Sequence, residues 1–194
     1  NKMADAVLEI WQPGTMAGAA VSGILSGRHN PSGKLSATFP QTTGQIPIYY
    51  NMRQSARPDA GHYQDIPRDA LYWFGHGLSY SNFEYGKIKL SKNKIHKGEK
   101  IVAEIEITNN GTVDGKEAVL WYINDPVANI SRPMKELKFF EKKMIKAGTK
   151  EIYRFEIDPE KDLAYVDSIG EKHLESGDFY IIINNEKVKF ELTD

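Results

Sequence analysis

A chain of 194 residues in which 25 Lys and Arg face 26 Asp and Glu is almost neutral, so electrostatics gives no reason to expect nucleic acid or an anionic membrane as a partner. Cysteine is absent, which excludes disulfides and thiolate metal sites and leaves the redox compartment open. No apolar run approaches a membrane span, and the first residues lack the basic-then-apolar layout of a secretory signal, so no membrane partner and no address are expected.

Ala6-Val7-Leu8-Glu9-Ile10-Trp11 is a short apolar run that reads as a strand, and Pro13-Gly14 breaks it. Thr15 can cap a helix whose buried stripe would be Ala17, Ala20, Val21, Ile24 and Leu25, with Gly27 placed to end it. The small residues Ala17, Gly18, Ala19 and Ala20 predict a helix lying close to a sheet, because bulky side chains would hold the two backbones apart. One helix and one or two strands bury too little apolar area to offset chain entropy. Residues 1–50 therefore read as an incomplete α/β fragment that needs a partner surface outside this chain.

Residues 36–70 show little periodicity and are punctuated by Pro40, Gly44, Pro47, Pro58, Gly61 and Pro67. A flexible linker would be rich in Gly and Ser; the concentrated Ile46, Ile48, Tyr49 and Tyr50 instead predict an extended connector, placed at residues 51–85 and pinned by its aromatic side chains. The stretch Leu71-Tyr72-Trp73-Phe74-Gly75-His76-Gly77-Leu78-Ser79-Tyr80 sets glycines among aromatic residues. Glycine turns the backbone where a side chain would clash, and the rings of Trp73, Phe74 and Tyr80 are suited to filling a seam between two packed bodies, so this segment reads as a domain junction.

The period then changes to two. Ile101, Ala103, Ile105 and Ile107 alternate with polar neighbours, as do Tyr153, Phe155 and Ile157, and Val188, Phe190 and Leu192. Continuous apolar runs at 118–123 and 179–183 suit central strands, and Asn109-Asn110-Gly111 reads as a tight turn between strands at 100–108 and 116–124. Seven or so short strands separated by Gly, Asn or Pro indicate a mainly β chain, with an immunoglobulin-like β-sandwich over residues 86–194.

Several of these segments, in the same order, resemble family 3 glycoside hydrolases, the β-glucosidase and β-xylosidase group. They are the run from Ala6 to Gly14, the turn Asn30-Pro31-Ser32-Gly33-Lys34-Leu35 with Thr38-Phe39-Pro40, and the connector from Gly44 to Asn51. Arg57-Pro58 with Tyr63 and Asp65, the stretch Phe74 to Phe83, and Ser131 to Lys138 with Phe140-Glu141-Lys142 continue the resemblance. Local departures occur at Ser36, Ala56, Phe139 and Ala147-Gly148-Thr149. The resemblance implies the end of an α/β sandwich domain followed by a fibronectin type III-like domain, the C-terminal portion of such an enzyme. It also implies that the nucleophilic aspartate and the acid/base glutamate lie outside this chain, which leaves no catalytic residue here. The partners it implies are the N-terminal catalytic barrel and the rest of the sandwich domain, or a second copy of this chain. A periplasmic or extracellular location and an oligosaccharide ligand follow from the same resemblance.

Each remaining candidate has a plainer structural role beside the functional one. Glu9, Asp65 and Glu84 sit near apolar residues, yet isolated carboxylates at loops and strand ends are mostly solvated or paired. His29, His62, His76, His96 and His173 show no helical i, i+4 spacing, so neither a metal nor a cofactor is expected. Tyr49, Tyr50, Asn51, Arg57 and Tyr63 combine stacking faces with amide and guanidinium donors, the chemistry of a sugar-binding rim, although the same aromatic residues would serve as pins for the connector. Asn110-Gly111-Thr112 and Asn129-Ile130-Ser131 match the glycosylation sequon. A free-standing carbohydrate-binding or accessory module would need an aromatic platform, for which Trp121, Tyr122 and Tyr165 are the candidates; apolar neighbours argue that Trp121 is core.

Overall fold

In a computed structural model of the protein, which describes residues 3–54 and 69–194, the period-two segments become strands whose alternate residues point into one core. After the helix α1 (Ala17–Leu25), the strands in chain order are β1 (Phe83–Tyr85), β2 (Lys89–Leu90), β3 (Lys94–His96), β4 (Ile101–Asn109) and β5 (Gly115–Asn124). There follow β6 (Glu136–Ile145), β7 (Lys150–Ile157), β8 (Tyr165–Val166), β9 (Lys172–His173), β10 (Gly177–Ile183) and β11 (Glu186–Thr193). β4 pairs antiparallel with β7 along nearly its whole length and with the short β1 and β2, giving one sheet. The facing sheet runs β3-β11-β10-β5-β6, antiparallel except for the β3–β11 pair, and β8 and β9 form a separate small hairpin.

The two inner faces supply the core. Ile101, Ala103, Ile105 and Ile107 of β4, with Tyr153, Phe155 and Ile157 of β7, meet Val119, Trp121 and Ile123 of β5, Phe179 and Ile181 of β10, and Phe190 of β11. Trp121 is fully buried. At about 25 cal/mol per Å² of apolar surface removed from water, these side chains are the main source of the domain's stability. The chain is thus mainly β, with the expected fibronectin-like sandwich, and the runs at 118–123 and 179–183 do lie in interior strands of the five-stranded sheet.

Three local expectations are corrected. Asn109-Asn110-Gly111 closes no hairpin: β4 and β5 belong to different sheets, and residues 110–114 carry the chain from one to the other. The buried Asn109 side chain satisfies this crossing by donating to the carbonyls of Val113 (2.9 Å) and Ile145 (3.0 Å) and accepting from the Gly111 amide (2.9 Å). Turn chemistry reports a change of direction; which sheet receives the next strand depends on long-range packing. Residues 6–11 form no strand, since among the described residues none pairs with them, and Trp11 is left 55% exposed. The helix α1 does form, but Thr15 lies inside a preceding 3-10 turn (Gly14–Met16), and Met16 takes the cap position without a side-chain bond. Of its expected stripe, Ala17, Val21 and Ile24 are half-buried while Ala20 and Leu25 are exposed; the buried residue of the helix is Gly23, beneath the His29 ring.

Candidate functional site

Two loops meet at one end of the sandwich. The Leu35 amide donates to the His76 carbonyl and the Gly75 amide to the Leu35 carbonyl, both at 2.8 Å, so residues 30–35 and 73–78 run together. Closeness explains the glycines. A Cβ on Gly77 would stand 2.3 Å from the Gly33 carbonyl oxygen; Gly75 has φ +84°, and its Cβ would stand 2.5 Å from Leu120 Cδ1 on β5.

Asn30 ties this pair of loops to the β4–β5 crossing. Its Oδ1 accepts from Ser79 Oγ (2.8 Å) and the Tyr80 amide (2.8 Å), while its Nδ2 donates to Ser81 Oγ (2.8 Å) and the Asp114 carbonyl (3.0 Å). Four bonds use the full capacity of an amide side chain. Asn30→Ala is expected to cost about 1–3 kcal/mol in a denaturant titration, because the partners lose their bonds in a part-buried place. Faster hydrogen exchange at the Tyr80 amide should accompany it.

Lys34 makes the second tie. Its Nζ lies 2.9 Å from Glu117 Oε1 and 3.3 Å from the Gly77 carbonyl. Glu117 is on β5 and only 3% exposed, and it accepts a bond from the Tyr85 hydroxyl at 2.6 Å; its own carbonyl accepts from the Tyr153 hydroxyl at 2.9 Å. Burial, then the neighbouring Glu117 charge, push the Tyr85 phenol well above its ordinary range. A cleft of 360 Å³ opens here, lined among others by Lys34, His76, Ser79, Tyr85 and Glu117. Sequence parity holds the missed signal: Glu117 shares its face of β5 with Val119, Trp121 and Ile123, so a carboxylate was due to point inward.

The aromatic residues occupy the outer face of β5. Phe74 stacks on Tyr50 (centroids 4.5 Å apart), and Tyr50 tilts against Tyr122 (5.8 Å), whose phenol is pushed up to about 12 by burial and then by Tyr50. Phe74 and Trp73 are half-buried. The Tyr50 hydroxyl accepts from the Leu137 amide at 3.4 Å, and the Met52 carbonyl from the Met134 amide at 2.9 Å, so residues 50–53 lie along the approach to β6. Tyr80 is placed differently from the expected seam: it is half exposed and its hydroxyl donates to the Ile24 carbonyl at the end of α1 (3.0 Å). Tyr49 and Asn51 are exposed; Arg57, Tyr63, His62 and Asp65 lie outside the described residues.

Of the expected carboxylates, Glu9 and Glu84 lie among the described residues, and each has its own partner. Glu9 accepts from the Trp11 amide (2.8 Å) and Glu84 from Asn110 Nδ2 (2.6 Å), both at the surface. The proposed platform residues are also engaged. Trp121 and Tyr122 are buried, and Tyr165 carries Arg132 over one face (5.1 Å) and donates to Glu175.

The sequence matches the glycosyl hydrolase family 3 C-terminal domain over residues 1–80 and a fibronectin type III-like domain over residues 117–187. The chain belongs to glycosyl hydrolase family 3 and corresponds to its C-terminal portion. It is 39% identical over 168 residues to the periplasmic β-glucosidase of Salmonella typhimurium, covering 82% of this chain and 22% of that protein. A putative β-xylosidase of Formosa agariphila is 38% identical, covering 100% of this chain and 25% of that protein. Among solved structures, the β-glucosidase from Listeria innocua in complex with gluconolactone superposes with a TM-score of 0.92 at 39% identity, covering 100% of this chain and 28% of that one. The chain therefore spans about a quarter of the length of the relatives it matches.

Proposed function

We propose that this family 3 chain is the structural C-terminal part of a β-glucosidase-like enzyme that hydrolyses O-glycosidic bonds, with the nucleophile and acid/base carried by residues outside it. The observation that carries this is the exposed apolar surface of the first segment: Val7, Ile10, Met16 and Leu25 stand exposed, and Trp11, although stacked on Phe39 (5.9 Å), is still 55% exposed, on a stretch anchored to a well-packed sandwich. Surface of that kind is what a fragment of a larger core presents. The tie from Lys34 to Glu117 and the four bonds of Asn30 would then hold the α/β body on the sandwich, so that the sandwich braces the catalytic part. Tyr49, Tyr50, Asn51, Arg57 and Tyr63 belong to the proposal as a rim for an oligosaccharide, and the periplasmic or secreted location as its compartment.

The 194-residue chain alone is expected to hydrolyse an aryl β-glucoside no faster than buffer, and the protein with its upstream portion restored is expected to be active. A rate from the chain alone that disappears on replacing one of its own carboxylates would overturn the proposal. Retention of full activity by the restored protein after deletion of residues 86–194 would overturn the bracing role.

A further inference from the structure

In a separate two-stranded sheet, the β8–β9 hairpin gathers three side chains that the spacing of the histidines did not suggest. Asp167, Glu171 and His173 each bring one donor atom to within 4.8 Å of the others. Asp167 Oδ2 lies 2.7 Å from His173 Nε2. The hairpin register sets His173 opposite Tyr165, and the two rings stack with centroids 5.5 Å apart, which fixes the imidazole plane. Asp167 Oδ1 is held by the amides of Ile169 and Glu171, both at 2.9 Å, so its second oxygen is the one turned towards His173. Glu171, on the exposed loop, closes the triangle, and Asp167 and His173 part slightly from their hydrogen-bond distance to admit an ion.

From this arrangement we propose that the hairpin is a binding site for a divalent first-row transition ion, with Asp167 Oδ2, Glu171 carboxylate and His173 Nε2 as ligands. One imidazole and two carboxylates make a mixed nitrogen and oxygen set that suits Zn²⁺ or Mn²⁺, whereas Ca²⁺ prefers six or more oxygens. Two carboxylates also match the charge of a divalent ion, and water would complete the coordination. The ion takes the place of the proton that now links Asp167 to His173. Because the chain has no cysteine, no thiolate competes for the metal. An exposed site with three ligands is a surface clamp on the hairpin and asks nothing of the glycosidase chemistry.

The test uses the full 194-residue chain labelled with ¹⁵N. Added Mn²⁺ is expected to broaden the amide signals of residues 167–173 before all others, and Zn²⁺ to shift the His173 imidazole resonances. His173→Gln and Glu171→Gln should each weaken Zn²⁺ binding at least tenfold by calorimetry, while a large excess of Ca²⁺ leaves it unchanged. Thermal melts of both variants without metal, expected to match the parent chain, separate lost ligands from a lost fold. Broadening spread evenly over the surface acidic residues, or Zn²⁺ affinity unchanged in His173→Gln, would overturn the assignment.

Discussion

Replacing Glu117 by Ala is expected to destabilise the chain by about 3–5 kcal/mol, the range for removing one partner of a buried ion pair. The carboxylate is almost wholly buried, with Lys34 Nζ at 2.9 Å and the Tyr85 hydroxyl at 2.6 Å. Its loss leaves an ammonium group that is four-fifths buried with, among the described residues, the Gly77 carbonyl at 3.3 Å as its remaining partner, and a half-buried phenol without its acceptor. Glu117→Gln keeps the size and an acceptor for Tyr85, so a smaller loss is expected. Lys34→Met should also be costly, because it strands a buried negative charge. Urea titrations of the two single variants and of Lys34→Met/Glu117→Gln close a double-mutant cycle, and the pair in contact should show coupling of about 0.5–3 kcal/mol. A loss below about 1 kcal/mol in Glu117→Ala would mean that the carboxylate does not hold the joint, since surface pairs give values of that size.

The sandwich was legible in the sequence because its strands alternate cleanly, and the inward residues of β4, β7 and β11 are those that the period selects. Long-range information was not. The same alternation cannot say that β4 and β5 enter different sheets, and the Asn-Gly signal between them serves a crossing as well as a hairpin. The strand expected at residues 6–11 failed for a related reason: an apolar run becomes a strand only against a neighbouring edge, and among the described residues no such edge lies beside it. Of the loop joint, the glycines and rings were visible as composition. The tie between Lys34 and Glu117 joins residues far apart in the chain, and only the parity of Glu117 on β5 hinted at it. The hairpin cluster escaped because its carboxylates stand two and six residues before His173, a spacing that has meaning across a turn and none along a helix.

Gly77→Ala is expected to disrupt the loop joint more than Gly75→Ala, although Gly75 is the one with positive φ. A Cβ at position 77 meets the Gly33 carbonyl oxygen at 2.3 Å; the oxygen is backbone and the Cβ is fixed by the backbone, so relief requires the two loops to part. Separation would stretch the pairing of Leu35 with Gly75 and His76 and draw Lys34 away from Glu117, a cost of about 3 kcal/mol, at the upper end for overpacking. At position 75 the Cβ meets Leu120 Cδ1 at 2.5 Å, the end of a side chain that can turn aside, and the remaining penalty is the left-handed backbone at about 1–2 kcal/mol. The two mechanisms separate in a second step. Leu120→Ala introduced beside Gly75→Ala should recover the steric part of the loss and leave the backbone part, whereas beside Gly77→Ala it should recover nothing. Denaturation midpoints of the four variants measure this directly. Equal losses at the two glycines, or recovery of Gly77→Ala by Leu120→Ala, would show that residues 75–77 are held by the face of β5 alone and that the contact with Gly33 is incidental.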